Sequence, residues 1–552
     1  MDQDRRDALA QWAFDTRSIL GRFHLWLEDV ETEYTKNPPP RPTEMSFVNG
    51  NLERMLAMTQ AVTALGTQLF GRFGDGRNLD KSALNQVKKD ADAISAYAMS
   101  EGLWYLTRHL PENHAIMVCL GEGLMPKAGE TPEMGANPQL GFGRVYARPE
   151  VARFLDDRVA RLLNDPNYGH ENFRHDLQRR GVTVWGAAID TLENTSRFAL
   201  GKDTGPMTVL HLFNQPLQVT RPYEGYTGTL VLPKKVVDTA AEQSLLIDFR
   251  TPRKLVLQAI QQAYSVPPEN VHVWTLGGKS RLKRLRTLWQ TWTELGVHLV
   301  EDGWTLPTGL AAFTDSGTYA PTYLVGFRDG HVFIVDGYAA SAEALQAASL
   351  APVLDLDVSL AILTSKFDLP IEDELHHPDR LKDAREAGIP TNKAILKAED
   401  FFAEKQWDVL ALIGAMGPDP YSGIPGVQQL SKDTYRVTVR LASPAADKRV
   451  HLTLRFMNGK DGSRSTFQPL LNRFLGGEDY QSRAVKISDS GRIRNELQTL
   501  CAEALEYLGK DRLRVHFDRI PPTLIEKPQQ LRNILEFYLQ RHPIWFHWLE
   551  LQ

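Results

Sequence analysis

The sequence has few cysteines and no long apolar segment. Its two cysteines, Cys119 and Cys501, lie far apart in the chain, which excludes a disulfide framework and a cysteine-rich zinc module. Nowhere do about 18 apolar residues follow one another, so no membrane-spanning helix is predicted. The amino-terminal stretch MDQDRRDALAQWAFD lacks the apolar core of a secretory signal. We therefore expect a soluble, cytoplasmic protein that does not associate with a membrane.

The chain also lacks a strong charge of either sign. Its formal net charge is -5 over 552 residues, so the chain as a whole has no electrostatic footprint for DNA, RNA or an anionic membrane. A nucleic-acid role would need a local basic patch. The contents of 42% hydrophobic and 24% charged residues are typical of a globular protein. The length predicts roughly two to four domains.

Several motifs of well-known enzyme classes are missing. We find no Gly-x-Ser-x-Gly, His-Glu-x-x-His or Gly-x-Gly-x-x-Gly between a predicted strand and a predicted helix. The stretch TLGGKSRLKRLR, from Thr275 to Arg286, contains Gly278, Lys279 and Ser280, which form the second half of a nucleotide-binding phosphate loop. Val273 stands where that loop needs its first glycine. The full loop is therefore excluded, and a shorter anion site remains.

The same stretch is typical of a generic anion site between a strand and a helix. Backbone N–H groups in the first turn of the helix would bind the anion, with Ser280 as N-cap and Lys279 beside it. The alternative is the solvated face of a surface helix, which accounts for Lys283 and Arg286. We predict a small anionic, phosphorylated ligand. The residues predicted to bind it are Gly277, Gly278, Lys279, Ser280 and Arg281, together with Arg250 and Arg253.

Acidic residues follow several of the predicted strands. In open α/β sheets, ligands bind where the carboxyl ends of the strands meet the loops. Basic and acidic loops together suit a phosphorylated ligand handled by carboxylates, with Mg²⁺ as the candidate cofactor. The candidates for metal ligand or general acid and base are Glu301, Asp302, Asp315 and Asp336. The alternative is that these loops are polar only because they are solvated.

The pattern along the chain predicts an α/β protein with a mixed, mostly parallel sheet. Residues 1–110 form a predicted helical subdomain, in which apolar spacing suggests a first helix reaching Leu27, a second over Asn51 to Phe70 and a third over Lys81 to Arg108. Residues 111–430 alternate apolar runs with helical patterns and form the predicted core domain that carries the site. Residues 431–552 are predicted to be a carboxyl-terminal α+β region.

The runs predicted as strands share β-branched residues and polar or glycine ends. A tight turn at Arg328 to Gly330 predicts that the strands on either side of it form a hairpin. The predicted strands are AIMVCL (115–120), VTVWGAAI (182–189), MTVLHLF (207–213), GTLVLP (228–233), LLIDF (245–249), VHVWTL (271–276), VHLV (297–300), TYLVGF (322–327), HVFIVD (331–336), VSLAIL (358–363), VLALIG (409–414), YRVTVRL (435–441) and VHLTLRF (450–456).

One short segment resembles a known enzyme class. LDLDVSL, from Leu354 to Leu360, is similar to the Asp-x-Asp-x-Ser/Thr signature at the nucleophile strand of haloacid-dehalogenase-type phosphatases. The resemblance implies Asp355 as nucleophile, Asp357 as acid and base, and Mg²⁺ as cofactor. It covers seven residues, and the later motifs of that family cannot be placed at suitable spacing.

Three functions remain open, of which the third is a phosphodiester or nucleic-acid enzyme that uses the basic helix. The first is a cytoplasmic enzyme acting on a small anionic, phosphorylated metabolite, by phosphoryl transfer, hydrolysis or lyase-type chemistry at the loops after the strands. The second is a non-catalytic assembly or regulatory protein that associates, for example as a homo-oligomer, through its amino-terminal helices and its aromatic end HPIWFHWLELQ. The first predicts that the strand-end residues converge, and the second predicts exposed apolar surface on the amino-terminal helices.

Overall fold

The computed structural model describes most of the first 340 residues and several later segments. The described residues are 3–34, 51–121, 140, 143–165, 167–202, 205–218, 226–247, 251–275, 282–301, 304–309, 324–340, 358–365, 395–397, 401–404, 407–418, 424–443, 445–457, 505–509 and 512–515.

Nine α-helices lie within the described residues. They are α1 (Gln3–Arg22), α2 (Asn51–Phe70), α3 (Lys81–Leu106), α4 (Pro149–Asn164), α5 (His170–Arg180), α6 (Thr195–Ala199), α7 (Lys234–Glu242), α8 (Arg253–Tyr264) and α9 (Leu282–Glu294). Most of the strands belong to two sheets. The strands are β1 (Leu25–Tyr34), β2 (His114–Gly121), β3 (Val145–Ala147), β4 (Thr183–Glu193), β5 (Met207–Phe213), β6 (Tyr226–Pro233), β7 (Val271–Trp274), β8 (His298–Leu299), β9 (Gly326–Arg328), β10 (His331–Ala340), β11 (Val358–Ser365), β12 (Ile395–Lys397), β13 (Val409–Ala415), β14 (Val427–Gln429), β15 (Thr434–Ala442), β16 (Asp447–Phe456), β17 (Leu505–Gly509) and β18 (Arg512–Val515).

The larger sheet, sheet A, has the strand order β1-β16-β15-β13-β5-β4-β2-β3, with β14 paired to β15. The smaller sheet, sheet B, has the order β12-β11-β6-β10-β7-β8, with β9 paired to β10. Along the chain, the strands of sheet B all lie between β5 and β13, which are neighbours in sheet A. Sheet B is therefore inserted between two adjacent strands of sheet A.

Helices α1 to α3 cover one face of sheet A. Helix α2 is apolar around most of its circumference because it is enclosed by sheet A and by its neighbouring helices. Its buried Gln60 donates to the carbonyl oxygens of Thr208 in β5 (2.6 Å) and Leu412 in β13 (3.1 Å). Buried polar groups are stable when they find such partners. Gln60 thus fixes α2 over the junction between these two strands.

The other face of sheet A packs against sheet B and against α4 and α5. Side chains alternate across a strand, and in β5 Leu210 belongs to the core under α1 to α3, whereas Phe213 belongs to a second core. That second core also contains Val335 of β10 and Trp274 of β7. The outer face of sheet B, with Ile334, packs under α7 to α9. The result is four layers: helices, sheet A, sheet B and helices.

The prediction of an α/β protein with mixed sheets is confirmed, but the prediction of mostly parallel strands is wrong for sheet A. Among its described pairs, β2 and β4 are parallel and the others are antiparallel. Sheet B contains two parallel pairs, β7 with β10 and β7 with β8. Continuous apolar runs are typical of parallel sheets because helices cover both faces. Here a second sheet covers one face, so antiparallel strands show the same pattern.

Two local predictions are also wrong. The first helix ends at Arg22, and the residues from Leu25 form β1, which pairs with β16. His24 adopts a positive φ of 53°, which stops the helix although the apolar spacing continues. The described part of the predicted strand LLIDF, residues 245–247, is not a strand. The hairpin at Arg328 to Gly330 is confirmed, because β9 and β10 pair antiparallel.

The three predicted domains all contribute strands to sheet A. Strand β1 comes from the first, β2 to β5 and β13 from the second, and β15 and β16 from the third. The division into separate units near residues 110 and 430 stays a prediction.

Candidate functional site

Three parallel strands of sheet B bring distant parts of the chain to one edge. Strand β7 lies between β10 and β8, with Trp274 opposite Val335 and Val273 opposite Leu299. All three strands run in the same direction, so their carboxyl ends meet. Thr275 follows β7, and the stretch predicted to bind an anion begins there. This edge is where an open α/β sheet offers a ligand site.

A buried ion pair lies at this edge. The Arg253 Nε donates to Asp336 Oδ2 over 2.6 Å, and its Nη2 donates to Asp336 Oδ1 over 2.9 Å. The Trp292 Nε1 donates to the same Asp336 Oδ2 over 2.8 Å. Asp336 is 0% exposed and Arg253 is 8% exposed. A bidentate pair of this kind is strong and directional.

The ion pair joins two helices to the sheet. Arg253 is the first residue of α8, Trp292 lies in the last turns of α9, and Asp336 lies in β10. Arg253 also donates from Nη1 to the Thr251 carbonyl oxygen over 2.8 Å, which orders the turn before α8. The start of α8 and the end of α9 are therefore held against the same strand.

Helix α9 follows the predicted anion loop. Leu285 and Trp292 form its buried side, and Arg286 is exposed. The helix ends before Gly296, whose φ of 78° suits glycine, and the Val297 N–H donates back to the Trp292 carbonyl oxygen. Arg286, the last basic residue of the stretch TLGGKSRLKRLR, thus lies on a surface helix, as the sequence suggests.

The structure brings together two of the residues predicted for the site, Arg253 and Asp336. Glu301, which follows β8, is exposed. The other predicted residues lie outside the described residues; they are Gly277, Gly278, Lys279, Ser280, Arg281, Arg250, Asp302 and Asp315. Asp355 and Asp357 of the phosphatase-like segment also lie outside them, and the described strand β11 begins after both.

The amino ends of the same three strands carry a row of histidines that the sequence did not single out. His272 Nδ1 lies 2.9 Å from His298 Nδ1, and His272 Nε2 lies 2.8 Å from His331 Nδ1. Trp304 packs against His272 and His298, with ring centroids 4.7 and 4.9 Å away. A signal was present, because VHVW, VHLV and HVFIVD each have a histidine at their start.

A second polar region lies where β4 ends in sheet A. Asp190 and Glu193 are each 1% exposed, and the Asp190 carboxylate accepts from the Leu192 N–H. Asn194 then adopts a φ of 65° and donates to the Gly205 carbonyl oxygen. A positive φ in a residue other than glycine marks a position constrained by its surroundings. The strand-to-helix turn into α6 is therefore tightly held.

Two further features are a buried cysteine and a small cleft. Burial raises the pKa of Cys119 to about 12, so its thiol stays protonated and unreactive at neutral pH. A small open cleft of about 190 Å³ lies beside α5 and is lined by residues that include Phe173, Arg174, Leu177 and Glu404. Its rim contains an ion pair between Arg174 and Glu404.

Across the described ranges, no three or more His, Cys, Asp or Glu side chains are grouped so that they could hold a metal ion. No helix in the described part of the chain is long and apolar enough to cross a membrane. The chain matches no known family model, and no curated protein is significantly similar to it.

Proposed function

We propose that this protein is an enzyme that binds a small anionic, phosphorylated ligand at the carboxyl edge of β8, β7 and β10. The observation that carries the proposal is the meeting of Arg253 and Asp336. Arg253 and Asp336 are 83 positions apart in the sequence and are predicted for one site. They lie in contact at this edge. The anion-binding stretch leaves β7 at the same edge.

The charges of the predicted residues indicate that they have different roles. The Asp336 carboxylate neutralises the Arg253 guanidinium, so this pair adds little net field at the ligand. Arg253 and Asp336 therefore position α8 and α9. The positive charge for the anion comes from Lys279 and Arg281, with Arg250, and backbone N–H groups of Gly277 to Ser280 add dipoles.

The acidic residues complete the proposed chemistry. Glu301 is exposed at the edge, where a carboxylate can act as a general acid or base. Asp302 and Asp315 are the proposed ligands of Mg²⁺, which would bridge the phosphate group and the protein. Phosphoryl transfer, hydrolysis and lyase-type chemistry all suit this set of groups.

Replacing Lys279 with alanine is expected to abolish ligand-induced stabilisation. A ligand that binds only the folded state raises its stability by about 2.7 kcal/mol at a hundred times its Kd. Thermal unfolding would be followed with inorganic phosphate, sugar phosphates and nucleotides, each with and without Mg²⁺. At least one compound should raise the Tm of the wild type and leave that of Lys279→Ala unchanged.

The matched control is Lys283→Ala, which removes the same charge four residues further along the chain, in α9. It should respond to the ligand as the wild type does. If no phosphorylated compound stabilises the wild type, or if Lys279→Ala responds like Lys283→Ala, the anion site is wrong.

A second candidate function, assembly, is favoured by exposed aromatic residues on the amino-terminal elements. Phe14 in α1 is 65% exposed, and Trp26 and Tyr34 in β1 are 51% and 67% exposed. Strand β1 is the outermost strand of sheet A in the described order. Helices α2 and α3 do not offer such a surface, because their apolar residues pack on sheet A.

If the protein assembles through β1, Trp26→Glu is expected to weaken self-association by about tenfold or more, because a charge would be buried at the contact. Sedimentation velocity over a range of concentrations would measure the change. Leu246→Glu is the control, since Leu246 is 72% exposed and lies between α7 and α8, outside sheet A. A wild type that stays monomeric at every concentration would remove this candidate.

A further inference from the structure

The three histidines at the amino ends of β10, β7 and β8 form one continuous chain of imidazole rings. His331 contacts His272 through Nδ1, and His298 contacts the other nitrogen of His272 through its own Nδ1. His272 is 6% exposed, and both of its ring nitrogens are used in these contacts. Each contact joins two strands, so the chain ties all three strands together at this edge.

The chain has a limited capacity for protons. Three neutral imidazoles carry three ring protons, and each N···N contact needs one proton between its two nitrogens. Two protons fill the two contacts, and the two remaining nitrogens, Nε2 of His298 and Nε2 of His331, can hold one each. The intact chain therefore holds at most four protons, which corresponds to a single positive charge. A further proton places N–H against N–H and breaks a contact.

The surroundings disfavour charge at the middle ring. Burial, followed by the nearby His298 and His331, lowers the pKa of His272 to about 4. Burial also lowers the pKa of His298, while Glu301 acts in the opposite direction. Arg328 lies opposite His331 in the β9–β10 hairpin, and it donates to the Leu324 carbonyl oxygen. The Trp304 ring packs on His272 and His298 and excludes water from that side.

We propose that the His331–His272–His298 chain is a proton-operated latch that holds the amino ends of β10, β7 and β8 together at neutral pH and releases them in acid. The first proton from solvent enters at a terminal Nε2 and leaves both contacts intact. The second places N–H against N–H in one of the two contacts, so His272 separates from that neighbour. This latch does not depend on the proposed anion site.

Release at this edge would reach the opposite edge of the sheet. Strand β7 spans four residues from Val271 to Trp274, which is about 13 Å at 3.3 Å per residue. The Val300 N–H donates to the Val273 carbonyl oxygen next to the proposed ligand edge. Separation of β7 from β8 would therefore loosen the residues that lead into the anion loop.

Hydrogen exchange measured by mass spectrometry tests the latch on the full-length protein. Backbone amides in residues 271–274, 297–301 and 331–336 should lose protection by about tenfold or more between pH 7 and pH 5, after correction for intrinsic exchange. The comparison is made in a His211→Gln background, because burial lowers the pKa of His211 in β5 to about 3 and this histidine would destabilise the whole fold in acid. In that background, amides of β13, which lies in sheet A, should lose less than twofold over the same range. The expected size follows from the tenfold change in population that accompanies each pKa unit.

His272→Gln keeps a donor and an acceptor at the middle position but cannot take up a proton, so the selective loss of protection should disappear. His175→Gln, an exposed histidine in α5, should behave as the wild type does. His298→Gln breaks one contact only and replaces the first variant if His272→Gln does not fold. In the His211→Gln background, a uniform loss across both sheets, or an unchanged loss in His272→Gln or its replacement His298→Gln, would overturn the latch.

Discussion

Asp336→Ala is expected to lower the free energy of unfolding by about 3–5 kcal/mol, the usual cost of leaving one charge of a buried ion pair without its partner. The Arg253 guanidinium would remain buried without its bidentate acceptor. The Trp292 Nε1–H would also lose the carboxylate oxygen that accepts from it. Because these groups come from α8 and α9, both helices should become more mobile. Urea unfolding followed by far-ultraviolet circular dichroism measures the loss.

An exposed aspartate provides the control for removing a carboxylate in general. Asp238 pairs with Lys234 one turn away in α7, and both side chains are more than half exposed. Asp238→Ala should therefore cost less than about 1 kcal/mol. The double variant Arg253→Met with Asp336→Leu should be more stable than either single variant, since no unpaired charge remains. If Asp336→Ala costs no more than Asp238→Ala, the ion pair does not hold the helices.

Acid should destabilise the protein through a second, unrelated histidine. His211 in β5 is 0% exposed, and burial lowers its pKa to about 3. The unfolded chain binds a proton below about pH 6.5, whereas the folded chain does so only near pH 3, so stability falls as the pH drops between these values. At pH 4 the loss from His211 is about 3 kcal/mol, at about 1.4 kcal/mol per pH unit.

His211→Gln should remove that slope, although the substitution lowers stability at neutral pH. The measurement is the urea midpoint at half-unit steps from pH 7 to pH 4, compared with the wild type. His175→Gln should keep the full slope, because the side chain of His175 is exposed. A slope that is equal in the wild type and in His211→Gln would mean that His211 does not carry the acid sensitivity.

The strands of the core could be predicted because burial leaves a clear pattern. MTVLHLF and VLALIG are buried along their whole length and consist mostly of apolar residues, and both lie between two covered faces. Helix α2 was also predictable to its ends, since its apolar residues continue without a proline from Asn51 to Phe70. What could not be predicted is how the strands pair. Register and direction depend on tertiary contacts between segments far apart in the chain.

In the candidate site, too, one part could be predicted from the sequence and another could not. A basic and an acidic residue at strand ends could be proposed as neighbours, and Arg253 and Asp336 are in contact. Their burial could not be foreseen, because it depends on Trp292 of α9 packing over them. The histidine row was missed because His272 and His331 become neighbours only through the parallel pairing of β7 with β10.

The insertion of sheet B has a consequence for synthesis on the ribosome. Strand β5 ends at Phe213, and its partner β13 begins at Val409. At about 5–20 residues per second, roughly 10–40 s pass before β13 exists. Throughout that interval the nascent chain carries β5 as an unpaired apolar edge, which is prone to pair with other chains. The yield of this protein in a cell is therefore expected to depend on chaperones that shield β5 during translation.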